Sequence, residues 1–79
     1  MLELYQFESC PFCRRVREKL SELEIDYVCR NVQVGTPKWS EFKRLNPSEQ
    51  VPFLIDREKG VTMDESEAIV AYLEKYYSR

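Results

Sequence analysis

"ESCPFC", residues 8–13, sets Cys10 and Cys13 three positions apart, with Pro11 and Phe12 between them. The stretch follows a short apolar run, "LELYQF" at residues 2–7, and precedes a charged segment that reads as helical. Two thiols at this spacing fit half of a metal clip, a structural disulfide or a pair built to react. The surrounding sequence has to separate these readings.

In "LELYQF", Leu2 and Leu4 share one face of a strand, and Tyr5 and Phe7 share the other. A strand that is apolar on both faces is covered on both sides. Pro11 suits a first helical turn, where its missing N–H costs nothing. Phe12, Val16, Leu20 and Leu23 then recur at helical spacing. "IDYVCRNV" (25–32) reads as a second strand, and "GTPKWSEFKRLN" (35–46) as a short helix with a Gly–Thr–Pro start. "VPFLID" (51–56) is a third strand beginning at Pro52, and "VTMD" (61–64) a fourth after a turn at Lys59–Gly60. From Asp64 onward Ile69, Tyr72, Leu73 and Tyr76 mark a last amphipathic helix.

The order βαβ, α, ββα predicts an α/β domain: a parallel, right-handed first crossover, a terminal hairpin, and a mixed four-stranded sheet carrying three helices. Ligands of such sheets gather at the carboxyl ends of the strands, and "ESCPFC" lies just past the end of the first.

The chain has 79 residues, enough for a single domain (1–79) near the lower limit for a self-sufficient core. A formal charge of −2 argues against a nucleic-acid binder. No apolar run approaches the roughly 20 residues of a membrane span. "MLELYQFESC" lacks the basic start and long apolar segment of a signal peptide, so a cytoplasmic location is expected. Three cysteines are an odd number, a poor fit to a secreted disulfide scaffold. There is no histidine, which removes Ser-His-Asp and Cys-His pairs. Closed zinc sites want four nitrogen or sulfur ligands, so no metal is expected within one chain.

A helix starting at Pro11 makes Cys10 its N-cap, with unpaired N–H groups and the positive end of the dipole facing the sulfur. Both favour thiolate over thiol. Cys10 is then the attacking sulfur, and Cys13, one turn on and less exposed, resolves the mixed disulfide. Arg14 and Arg15 oppose the helix dipole, a cost that a thiolate or an acidic thiol substrate offsets; the simpler reading is a solvated charged face. Cys29, in a strand without a partner, is expected to be a small buried hydrophobe, the sharper alternative being glutathionylation or dimer linkage.

"CPFC" after a strand, "VPFL" opening a third strand and "MDESEAIVAYL" opening the last helix resemble the glutaredoxin branch of the thioredoxin fold. The flanking sequence, "LYQFESCPFCRRVREKLSELEIDY" and "LNPSEQVPFLID" included, is similar to the N-terminal domain of glutathione transferases. Three motifs in order span nearly the whole chain. Two departures stand out: Phe7 occupies a position where many glutaredoxins carry lysine, and "MDES" replaces their glycine pair. Glutathione transferases add a helical C-terminal domain for the second substrate, so conjugation by this stretch alone is not expected.

The resemblance implies a cis bond between Val51 and Pro52, with Val51 pairing against the cysteinyl backbone of glutathione. It also implies that Ser66 binds the α-carboxylate of the γ-glutamyl end and that Glu65 lies near its ammonium. Gln50 and Lys43 are weaker candidates for the glycine carboxylate. Asp64 with Glu67 three residues later matches a capping box, so the last helix is expected to begin at that aspartate. Phe12 should be partly exposed, forming an apolar lip. Trp39, Tyr72, Tyr76 and Tyr77 read as core or half-buried surface.

The expected function is a glutathione-dependent thiol–disulfide oxidoreductase, a monomer that reduces disulfide-containing or glutathionylated proteins through Cys10 and Cys13. Glutathione is its cosubstrate and no cofactor is bound. The alternative is a glutathione-binding or partner-docking module with little turnover, which Phe7 favours. A dimer bridging an iron–sulfur cluster is a third reading, opposed by Pro11.

Overall fold

The computed structural model describes residues 1–78. The elements run β1 (Leu2–Gln6), α1 (Pro11–Glu22), β2 (Tyr27–Asn31), α2 (Pro37–Leu45), β3 (Phe53–Asp56), β4 (Val61–Met63) and α3 (Ser66–Tyr77). The sheet order is β2-β1-β3-β4, with β1 and β2 parallel and the other pairs antiparallel. This is the mixed four-stranded sheet that the element order implies, in the thioredoxin-like arrangement that the resemblance implies. Among the described residues, no helix is long and apolar enough to cross a membrane.

The two-faced reading of β1 holds in three dimensions. Leu2 and Leu4, with Leu54, pack against Val16 and Leu20 of α1 and Ile69 and Leu73 of α3. Tyr5, with Phe53 and Ile55, meets α2 through Phe42, whose ring stacks on Tyr5 at 5.5 Å. Each fully buried leucine of this kind contributes about 1.5–3 kcal/mol. The helices therefore divide, α1 and α3 on one face and α2 on the other.

Local chemistry sets the helix ends. Thr36 caps α2, its Oγ1 accepting from the Trp39 N–H at 3.3 Å, and Pro37 follows at the first helical position. α1 ends without glycine: Glu24 takes a left-handed φ of 56°, Glu24 N donates to Ser21 O and Ile25 N donates to Leu20 O. That pair of bonds is a Schellman closure. Gly60 supplies the positive φ, 67°, in the turn between β3 and β4.

Three expectations need correction. The third strand begins at Phe53, one residue after Pro52. α3 begins at Ser66, not at Asp64, and no side chain caps it. The Asp64 carboxylate instead accepts from Ser48 Oγ at 2.7 Å and Asn46 Nδ2 at 3.4 Å, so a loop distant in sequence takes the oxygen a capping box needs. Cys29, expected in the core, is exposed. It lies on β2, an edge strand, where its sulfur accepts from Gln6 Nε2 at 3.3 Å.

Candidate functional site

Cys10 ends the loop after β1 and forms the N-cap of α1, with φ −75° and ψ 118°. Its N–H donates to Phe7 O at 3.2 Å, and its carbonyl accepts from Arg14 N at 3.0 Å. The sulfur accepts from the Cys13 N–H at 3.3 Å, the capping role normally filled by an oxygen. Both thiols are free and buried, Cys10 5% exposed and Cys13 fully enclosed. Burial, reinforced by the Cys10 sulfur beside it, pushes the Cys13 thiol up to about 12. At neutral pH Cys13 is a protonated neighbour of Cys10.

Arg14 and Arg15 are each held in an ion pair on the helix surface. Arg14 pairs with Glu18 at 3.5 Å and Arg15 with Glu67 at 3.3 Å, so the charged-face reading describes them. Arg17 reaches back instead, donating to the Gln6 side chain and lying 3.6 Å from Glu8.

Across from Cys10, the loop between α2 and β3 brings in Gln50, Val51 and Pro52, with the Val51–Pro52 bond cis. Asn46 organises this loop. Nearly buried, it donates from Nδ2 to Gln50 O at 3.1 Å and to Asp64, and accepts from Ser48 Oγ at 2.9 Å. One amide thus ties the segment before Pro52 to the segment before α3. Sequence reasoning passed over Asn46; the "NPSEQVP" turn before the third strand was the available signal.

These pieces enclose a groove of about 450 Å³ lined by Cys10, Phe12, Gln50, Val51, Pro52, Glu65 and Ser66. The structure therefore gathers all the residues singled out on this edge except Cys13, which lies buried behind Cys10. Phe12 is 63% exposed and forms the apolar lip. Lys43 does not line the groove. Four residues not chosen as site residues do line it: Phe7, Trp39, Glu49 and Asp64. Trp39 comes from α2 and Ser66 from α3, so the groove crosses the carboxyl edge of β1 from one face of the sheet to the other. Because no side chain caps α3, its first-turn N–H groups lack a protein side-chain acceptor where Ser66 enters the groove. Such a helix start suits an anion. A second concavity, about 220 Å³ between α2 and the end of β2, contains no thiol.

The geometry brings together the Cys10 sulfur, the backbone ahead of a cis-proline and a helix start that no side chain caps. Residues 4–79 match the glutathione S-transferase N-terminal domain family. Glutathione S-transferase Z2 of Arabidopsis thaliana is 35% identical over 78 residues, covering 96% of this chain and 34% of that protein. An uncharacterized glutaredoxin-like 8.6 kDa protein of Clostridium pasteurianum is 30% identical over 54 residues, covering 68% of this chain and 72% of that protein. Among solved structures, a glutathione transferase homologue from Drosophila mojavensis with bound glutathione superposes with a TM-score of 0.87 at 29% identity, over 99% of this chain and 36% of that one. The chain thus spans about a third of the length of the transferases it matches. On fold, motif order and sequence, this chain belongs to the glutathione S-transferase N-terminal domain family.

Proposed function

We propose that residues 1–79 form one glutathione-binding unit whose site is the Cys10 groove. Of the two leading readings the sequence left, this is the binding module, and the family match supports it over the dithiol oxidoreductase. The observation that carries it is the meeting of the Cys10 sulfur, the Val51 backbone ahead of cis-Pro52 and the uncapped start of α3 in one groove. Glutathione lies extended along it. Its cysteinyl backbone pairs with Val51, its γ-glutamyl carboxylate meets the Ser66 hydroxyl and N–H, and its ammonium faces Glu65. Gln50 and Phe12 border the chain, and the glutathione sulfur points to Cys10. We propose the glutathione site alone.

Titration calorimetry with glutathione tests this directly. Saturable binding is expected, and Ser66→Ala should weaken it about ten- to a hundredfold, since one hydrogen bond to a charged group contributes about 1.5–3 kcal/mol. Absence of saturable binding overturns the proposal.

Thiol exchange is a second reading, favoured by the hydrogen-bonded pair at the start of α1. In it the Cys10 thiolate attacks a glutathionylated cysteine, a Cys10–glutathione disulfide forms, and the target sulfur leaves and takes a proton. A second glutathione thiolate then attacks that disulfide, releasing oxidised glutathione and the Cys10 thiolate. For a protein disulfide, Cys13 attacks the Cys10–target mixed disulfide, the reduced target leaves, and two glutathiones reduce the resulting Cys10–Cys13 disulfide and leave as oxidised glutathione. A reducing compartment such as the cytoplasm, which keeps both thiols reduced, suits either reading. In an assay coupled to glutathione reductase, Cys10→Ser abolishes turnover, whereas Cys13→Ser keeps deglutathionylation and loses disulfide reduction. Affinity without turnover in the unaltered chain limits the domain to binding.

A further inference from the structure

Charge in the groove is one-sided. Glu49, Asp64 and Glu65 line it, and among its described residues there is no lysine or arginine. None of the three carboxylates takes part in an ion pair among the described residues. Asp64 is held by two donors, Ser48 and Asn46, both uncharged, so its charge is positioned and not neutralised. Glu49 is fixed by its backbone: its N–H donates to Asn46 O at 2.9 Å and its φ is 57°. The α1 and α3 N-termini bring about half a positive charge each, but they act within a turn of Cys10 and Ser66. Beyond them, toward α2, the groove offers the rings of Phe7 and Trp39.

Glutathione has two carboxylates and one ammonium. Its γ-glutamyl end, with one of each, matches the Ser66 region. With Glu65 taken by the ammonium, its glycine carboxylate falls on the side of Trp39 and Glu49, where the groove offers no lysine or arginine. Like charges repel, by modest amounts where they face solvent, and aromatic faces attract cations. We propose that the groove selects γ-glutamyl-cysteinyl thiols whose C-terminal end is uncharged or cationic, in preference to glutathione itself. Glu49 and Trp39 are the residues that set this preference. The inference rests on the glutathione-site reading above.

The test uses the S-methyl forms of three ligands, which cannot exchange with Cys10: glutathione, its glycine ethyl ester, and its glycine amide with a short diamine. Their net charge rises from negative through zero to positive. Trp39, the single tryptophan of the chain, lines the groove and reports binding by fluorescence. At low salt, affinity should rise along the series, about threefold or more per step, on the scale of exposed charge pairs. At 1 M salt the differences should shrink, because the Debye length falls to about 3 Å. Glu49→Lys, at an exposed position, should reverse the order of the first two ligands. Equal affinity across the series, or glutathione tightest at low salt, overturns the inference and leaves the glutathione site standing. If none of the three binds, the site itself is wrong and the inference falls with it.

Discussion

Asp56 offers the sharpest test of how this fold is held. It is the last residue of β3, 1% exposed, on the face that packs against α3. Its Oδ2 accepts from Tyr72 and Tyr77, each at 2.6 Å, and its Oδ1 accepts from Lys59 N at 3.3 Å. Burial works to raise its pKa, but the two tyrosine hydroxyls and the Lys59 N–H outweigh it and leave the carboxyl below its usual value. Burial and the same carboxylate push Tyr77 up to about 12 and Tyr72 further. Replacing Asp56 by Asn keeps the shape and removes the charge. Each tyrosine bond falls from the charge-assisted range, about 1.5–3 kcal/mol, to the neutral range, about 0.5–1.5 kcal/mol. The new amide also turns a donor toward the Lys59 N–H, for a further loss of about 1–2 kcal/mol. The total is about 3–5 kcal/mol, a large part of the stability of a domain this size. Urea unfolding followed by circular dichroism measures it. A depressed carboxyl pKa stabilises fully above the unfolded value, about 3.9, and loses that contribution as pH falls through the folded value. The gap between the two proteins should therefore be widest near neutral pH and close in acid. At the alkaline end the raised tyrosines stabilise below about 10 and lose that contribution as pH rises through their folded values. A loss under about 1 kcal/mol at neutral pH, or an equal gap in acid, refutes this account of the Asp56 cluster.

Alkylation by iodoacetamide at pH 8, resolved by mass spectrometry, should modify exposed Cys29 readily and Cys13 last, since a thiol pushed up to about 12 has roughly a thousandfold less thiolate there than a free one. A Cys13 as fast as Cys29 in the folded protein contradicts its burial. Asn46→Ala should cost about 1–3 kcal/mol by removing the donor that Gln50 O and Asp64 Oδ2 share, and should weaken glutathione binding more than stability alone explains. Unchanged affinity in a folded variant would show that the loop before Pro52 holds its shape without that amide.

How much of this was written in the chain differs from residue to residue. Pro11 and Pro37 announce helix starts because a proline without an N–H fits only where the helix asks for none, and both α1 and α2 begin there. Cys10 as N-cap follows from the same local rule. Two-sided hydrophobicity marked β1 as interior, and it lies between β2 and β3. Asp64 went the other way: its spacing to Glu67 matched a capping box, but Ser48 and Asn46, 16 and 18 residues away, compete successfully for its oxygen. Cys29 was misjudged because an edge strand and an interior strand look alike over five residues, and only the sheet order distinguishes them. Trp39 read as packing, and it does pack on Phe42 at 5.5 Å, yet it also borders the groove.

The sequence by itself determined whatever a few neighbouring residues decide: element type and order, the proline-marked starts of α1 and α2, and the thiol at the head of α1. Tertiary structure decided what depends on groups far apart along the chain. It set which carboxylates face the groove unpaired, which hydroxyls Asp56 receives, and which cysteine is exposed. Backbone preferences act over a turn or two, whereas charge and hydrogen-bond partners are chosen only when the sheet brings distant segments within 3 Å or so of one another.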